Sequence, residues 1–346
     1  MRRLAAAMLA AISTLLIAAG PILACGGLIG PNGAVNLLRT TTFVGYHEGI
    51  EHYVTAFQFA GGEGAFGSLV PLPGIPSDVV KGGDWTLQRL ILETEPPAPE
   101  AEFLLGAARS ASDEAEVLMK KRIDALDITV LKGGAAEVGL WAKNHGFRLP
   151  PDAPEVLAFY AERSPIFLAA AFDADAARER GQAIGDGTPI HITIPTPNPW
   201  VPLRILALGR TGDERVEADV YMLTDSRPAV LPGYGVETGL FLDHSAPASA
   251  SLLADLRSDR DMGWIPDTAW LSKVRIDAAA SDLRFDLAID ASGQGSPSRL
   301  AAGLDALPIL GLDPQTVMGV ALLGIIVVQV AWFARLVVGR PRTAST

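Results

Sequence analysis

From Val317 to Phe333 the chain carries no polar side chain except Gln329, and the apolar character continues through Ala334 and, past Arg335, through Leu336-Val337-Val338. At about 1.5 Å per residue, about 22 such residues cover the roughly 30 Å hydrocarbon core of a bilayer. A run with no polar face suits lipid better than the edge of a soluble core, so it predicts one transmembrane helix over residues 315–338 rather than a buried core helix. Trp332 and Arg335 stand where an interfacial ring and a snorkelling cation belong. Arg335, Arg340 and Arg342 follow the run and Asp313 precedes it. By the positive-inside rule the tail, 339–346, is then cytoplasmic, and the chain from Cys25 to Pro314 lies outside.

The other end supplies a second apolar segment. Residues 1–24 have the parts of a signal peptide: Arg2 and Arg3, an apolar stretch from Leu4 to Ala19, and the helix-breaking Gly20-Pro21 before small residues. An uncleaved signal anchor is the alternative, but the apolar part is short for a span and the Ala24-Cys25 junction resembles a processing site. Ile22-Leu23-Ala24-Cys25 is also similar to a bacterial lipobox, although Leu at its second position departs from the pattern. Cys25 is therefore a candidate for lipidation, against ordinary cleavage beside an unmodified cysteine. Arg2 and Arg3 stay on the cytoplasmic side, which requires the same orientation as the distal arginines.

What lies between must fold on its own core. All 39 acidic residues fall between Glu48 and Asp313, and residues 25–314 hold 23 of the 28 basic ones, a balance of −16. Such a surface repels phosphate backbones, so nucleic acid is excluded as a partner. Cys25 is the single cysteine, which removes disulfide staples, CxxC redox chemistry and cysteine-based zinc sites.

The hydrophobic pattern of residues 25–290 predicts an α+β region, mostly antiparallel sheet with several packed helices. Strands are expected at Asn36–Tyr46 and Glu51–Phe59, with a turn at Glu48-Gly49, and at Phe66–Leu72, Asp127–Leu131, Ile166–Phe172, Ile190–Ile194, Val201–Leu208 and Val216–Leu223. Helices are expected at Asp84–Leu92, Ala101–Arg122, Ala135–His145 with a Gly146 cap, Pro154–Arg163 and Ser249–Arg260. Ser272–Ala278 and Leu283–Ile289 are expected to close a hairpin. The Gly-, Ser- and Pro-rich residues from Ala291 open a tether over 291–314. The absence of a regular βαβ alternation argues against a doubly wound nucleotide fold.

Each candidate site meets an objection. Gly62-Glu-Gly64-Ala-Phe-Gly67 fits a dinucleotide fingerprint, but Ser68-Leu-Val-Pro-Leu-Pro73 does not open the helix whose amides would hold a pyrophosphate; a turn between strands fits better. His47, His52, His145, His191 and His244 form no HxxxH pair; His47 and His52 could meet across the first hairpin, but two imidazoles without a third ligand make a poor metal site. Asp255, Asp259 and Asp261 alternate with Arg257 and Arg260 and read as a solvated helix face. Asp173 and Asp175 read as the start of a short helix, where carboxylates suit the dipole. There is no GxSxG elbow or SxxK. Trp141, Phe147, Trp200 and Trp264 could line a groove, though aromatics so placed more often fill cores. No catalytic, cofactor-binding or metal-ligating residue is assigned.

Cys25-Gly-Gly27, Leu69-Val-Pro-Leu-Pro73, Trp141-Ala-Lys-Asn-His-Gly-Phe-Arg-Leu-Pro150 and Trp200-Val-Pro-Leu-Arg-Ile205, in that order, resemble the bacterial domain of unknown function 2330 family over about residues 25–225. Family members often carry a second cysteine soon after the CGG; here Leu28-Ile29-Gly30 follows, so a family disulfide lacks its partner. The resemblance implies export and a shared fold but no catalytic residue. The expectation is a single-pass protein of the cell membrane whose extracytoplasmic part binds an envelope protein or glycan. An envelope hydrolase with a dispersed triad and a small-solute receptor are the alternatives.

Overall fold

The computed structural model describes residues 27–30, 33–35, 40–58, 66–95, 117–179, 187–293 and 295–304; the expected signal peptide 1–24, Cys25 and the apolar run 315–338 lie outside them. Among the described residues no helix is long and apolar enough to cross a membrane.

A tight hairpin sets the frame. Strand β3 (Thr40–His47) turns into β4 (Ile50–Gln58) through Glu48 and Gly49 alone, both at positive φ (51° and 81°), the geometry whose twist matches that of the flanking strands. Before it come β1 (Gly27–Gly30) and β2 (Gly33–Val35). After it run β5 (Phe66–Pro71), β6 (Asp78–Lys81), α1 (Thr86–Thr94), β7 (Val117–Ile123), β8 (Leu126–Lys132), α2 (Ala135–Asn144), α3 (Ala153–Ala161), β9 (Ile166–Phe172) and α4 (Ala174–Glu179). The chain continues through β10 (Gly187–Pro195), β11 (Trp200–Val201), a 3-10 turn (Arg204–Ala207), β12 (Arg215–Thr224), β13 (Ala229–Leu231), β14 (Leu240–Pro247), α5 (Ala250–Ser258), β15 (Trp270–Ala279) and β16 (Leu287–Asp290).

These strands form three sheets: β14-β15-β12-β3-β4-β10-β6, β2-β1-β5-β9-β8-β7 and β11-β16-β13. The pairing is antiparallel save for β3 beside β12. The α+β, mostly antiparallel expectation therefore holds.

Strand alternation decides what each face of the seven-stranded sheet buries. Phe43, Val54, Tyr221, Leu223 and Leu271 share one face, and Leu90 of α1 with Leu252, Leu253 and Leu256 of α5 pack over them, joined by Met262 and Ile265 from the following loop. Each such side chain removed from water stabilises the fold by about 1.5–3 kcal/mol. The opposite face buries Val44, Tyr53, Ile192, Ile194, Val220 and Met222.

Helix ends are closed by side chains. Ser249 accepts the amide of Leu252 at the start of α5. The Asp259 carboxylate, just past its end, accepts from Thr86 N (2.9 Å), Thr86 Oγ1 (2.6 Å) and Trp85 N (3.3 Å), and so caps α1 from a distant part of the chain. A Cβ on Gly83 would lie 2.0 Å from that carboxylate, so glycine is required there. Asp173 caps α4 through Ala176 N, and Gly146 takes the left-handed turn after α2, both as expected.

Several expectations are corrected. Val117–Ile123 is a strand rather than the end of a helix over 101–122: it pairs with β8 across a two-residue turn with Asp124 at φ 53°; residues 101–116 lie outside the described ones. The strand expected over Val201–Leu208 stops after Val201, because Pro202 has no amide to donate and the amides of Leu203 and Arg204 go to the Asp286 carboxylate. The expected hairpin of β15 with β16 does not form; β15 lies between β12 and β14, and β16 between β11 and β13. The described residues of the expected tether, 291–293 and 295–303, are seated on the body. Asp290 holds Ser292 and Gly295, Ser226 donates to Ala291 O, and Asp286 N donates to Ala302 O. The compact unit runs to Gly303.

Candidate functional site

A group of buried polar side chains lies where β4 and β10 pair. Register places His52 opposite Thr193 and His191 opposite Val54, so both imidazoles project from the helix-covered face as diagonal neighbours. His52 Nδ1 and His191 Nε2 are 2.9 Å apart. Trp264, from the loop after α5, lies flat on His52, ring centroids 3.7 Å apart and planes within 3°. Gly45 permits this: it sits opposite His52 on β3, and a Cβ there would fall 2.0 Å from the indole Cη2.

Burial decides the charge of the pair. It pushes His52 down to about 3, helped by His191 and His47, and His191 down to about 4 against the pull of Asp261 and Asp78. Both rings are thus neutral near pH 7, and one donates to the other. His191 Nδ1 and the Trp264 indole nitrogen are buried without a hydrogen-bond partner. A neutral imidazole pair can relay a proton or ligate a metal, but among the described residues no three or more His, Cys, Asp or Glu side chains group to hold an ion.

Two carboxyls, Glu51 and Asp286, are wholly buried. Glu51 points to the other face, between Tyr46 and Ile194. Its Oε2 accepts Trp200 N at 3.2 Å, while Oε1 has no partner. Burial lifts it to about 8, only partly offset by that amide. Asp286 is equally buried but accepts from Tyr160 OH (2.9 Å), Leu203 N (2.8 Å), Arg204 N (3.0 Å) and Arg163 (2.6 Å). Burial pushes it upward, and Arg163 and the two amides pull it back.

The other singled-out residues are placed as follows. His47 does not meet His52; its Nδ1 is 2.7 Å from Asp225, and its Nε2 is 4.0 Å from Glu48 rather than against a hydroxyl nucleophile. His145 Nδ1 bonds Trp141 O at the end of α2, and His244 lies on β14 opposite Lys273. Trp141, Phe147 and Trp200 are buried as core. The acidic trio is only in part a solvated face: Asp259 is a buried cap, whereas Asp255, which binds Arg89 at 2.8 Å, and Asp261 both reach solvent. Phe66 to Pro71 is a strand, as the objection to the glycine motif required; residues 62–65 lie outside the described ones. Sequence reasoning missed the pairing of His52 with His191, 139 residues apart, and the indole stacked on His52. The available signal was a histidine on one strand opposite glycine on its hairpin neighbour.

An α+β architecture with these enclosed polar groups defines the class of fold. The chain belongs to the DUF2330 family, described as an uncharacterized protein conserved in bacteria, which matches residues 23–233. No curated protein matches it. Among solved structures it is similar to a mutated baculovirus P35 after caspase cleavage, with 10% identity over 72% of this chain and 98% of that one and a TM-score of 0.38. It is similar also to P35 in complex with caspase-8, with 9% identity over 72% and 90% and a TM-score of 0.35. Those scores are too low to define a shared fold.

Proposed function

We propose that this protein is a membrane-tethered module of the bacterial envelope whose extracytoplasmic body binds a protein or glycan and does no chemistry of its own. The observation that carries the reading is where its reactive groups lie. His52 is stacked beneath Trp264, His191 beside it is buried, and Asp286 is encircled by four donors. These are the arrangements of groups that hold a fold together; a general base needs access to a substrate proton. The apolar run over 315–338 and the arginines flanking both termini support the tether and its orientation.

The test is to crosslink the intact protein in its own envelope and identify its neighbours. A reproducible protein or glycan neighbour supports the reading, and an empty result counts against it. Protease added outside intact protoplasts should digest the body and spare the tail beyond Arg335; a protected body would overturn the orientation.

A further inference from the structure

The motif Trp200–Ile205 holds only a two-residue strand and a 3-10 turn, and distant side chains take its amides one by one. Leu203 N and Arg204 N donate to the Asp286 carboxylate, and Ile205 N donates to the Tyr160 hydroxyl at 2.8 Å. Trp200 N donates to Glu51 Oε2 at 3.2 Å. The two ends of the motif are therefore held unequally. At the far end Asp286 is itself fixed by Arg163 and Tyr160, whereas at the near end one bond reaches a carboxyl whose Oε1 has no partner.

Glu51 also closes a loop. It lies opposite Ile194 at the end of β10; the chain leaves the sheet at Thr196 and returns to the same carboxyl at Trp200. Between them Pro197 and Asn198 are exposed. Two further bonds tie this loop to the β3–β4 hairpin, Thr196 N to Gly49 O (3.1 Å) and the Tyr46 hydroxyl to Thr196 O (2.9 Å). Around Glu51, β3 presents Tyr46, β10 presents Ile194 and β11 presents the Trp200 amide; among the described residues no cation pairs with it. Burial, and Glu51 itself, push the Tyr46 phenol up, so Tyr46 stays a donor.

A carboxyl enclosed in this way ionises only when water reaches it. Its own strand cannot yield, because β4 is paired on both sides by β3 and β10. Residues 196–199 can, with a hinge on the β11 side, where Ile289 N donates to Pro199 O (3.0 Å) and Trp200 pairs with Ala288. We propose that Glu51 is a proton-operated latch: with its proton on, the carboxyl holds residues 196–199 shut against the β3–β4 hairpin, and loss of the proton lets that loop lift and admit water.

Native-state hydrogen exchange on the full chain in detergent micelles tests this, read by mass spectrometry on a peptide covering 194–201 and on β9 as reference. Prolines at 195, 197 and 199 leave Thr196, Asn198 and Trp200 as the reporting amides of the loop. The latched carboxyl titrates at about 8 and an opened one near 4.5, so opening should grow about tenfold per pH unit between those values and level off above them. Protection of the loop amides, corrected for the intrinsic pH dependence of exchange, should therefore drop about 100-fold from pH 5.5 to 7.5. It should not respond to low urea, because a local opening exposes little surface. Glu51→Gln should abolish the pH dependence. Protection that is equal at the two pH values overturns the latch, as does a drop that Glu51→Gln retains. A drop that follows urea in step with β9 assigns the opening to global unfolding and overturns it as well. The comparison of pH values in the parent chain decides the matter even where the variant does not fold.

Discussion

Asp286 and Glu51 are both wholly buried, yet four donors converge on the first and a single amide reaches the second. Around Asp286 the chain provides a guanidinium, a phenol and the free amides of a 3-10 turn, so the carboxylate ties α3, that turn and the start of β16 into one unit. Around Glu51 it provides apolar strand neighbours, and the group escapes the cost of a buried charge by keeping its proton. Depth alone does not determine what a buried acid does; the donors within reach decide whether it anchors the fold or makes it sensitive to pH.

Asp286→Ala is the strongest way to break that comparison. It strands Arg163, the Tyr160 hydroxyl and two amides, and should cost about 3–5 kcal/mol in urea unfolding. A loss below about 1 kcal/mol would show that the four donors are satisfied elsewhere. Glu51→Gln should act in the opposite direction. The folded carboxyl titrates at about 8 against an unfolded value near 4.5, so its contribution is fully present below pH 4.5 and is lost as pH rises through 8. The amide variant should then be more stable than the parent by roughly 4 kcal/mol at pH 8 and nearly equal to it at pH 4. Equal gains at both pH values would place the effect in packing rather than in ionisation.

Trp264→Ala probes the third buried polar region and should cost about 2 kcal/mol, less than a full core truncation because the indole is only half-buried. It should also admit water to His52 and His191 and raise both toward the ordinary imidazole range, followed by NMR of the ring protons. Unchanged titration would mean that Trp264 does not set their burial. The smallest effect is a slope. The histidines titrate at about 3 and 4 when folded against 6.5 when unfolded, so their contribution is present above pH 6.5 and is lost as pH falls. Two such groups outweigh Glu51 between pH 4.5 and 6.5, while above 6.5 Glu51 alone remains. Stability should therefore peak near pH 6.5 and fall on either side by about 1.4 kcal/mol per pH unit at most. Glu51→Gln should remove the alkaline limb and steepen the acid one.

Much of the secondary structure was legible because it is local. The Glu48-Gly49 turn, the strand at Ile166–Phe172, the helix stop at Gly146 and the caps at Ser249 and Asp173 each depend on a few adjacent residues. The failures share a different cause. β15 has the alternation of a strand, but nothing within it says that its neighbour is β12 rather than β16. The strand expected after Val201 has the right composition, and is ended by an aspartate 83 residues away that takes the amide of Leu203. The site was the least legible part, since His52, His191, Trp264 and Gly45 come from four separate segments.

By itself the sequence determined the α+β class, the family and the position of the apolar runs, because composition, periodicity and short motifs are properties of contiguous residues. Only the tertiary structure decided which imidazole faces which, and which carboxyl meets donors and which keeps a proton. Those outcomes turn on strand register and on the burial it imposes. Register is chosen by the packing of the whole sheet, where a shift of one residue would exchange every buried side chain for an exposed one.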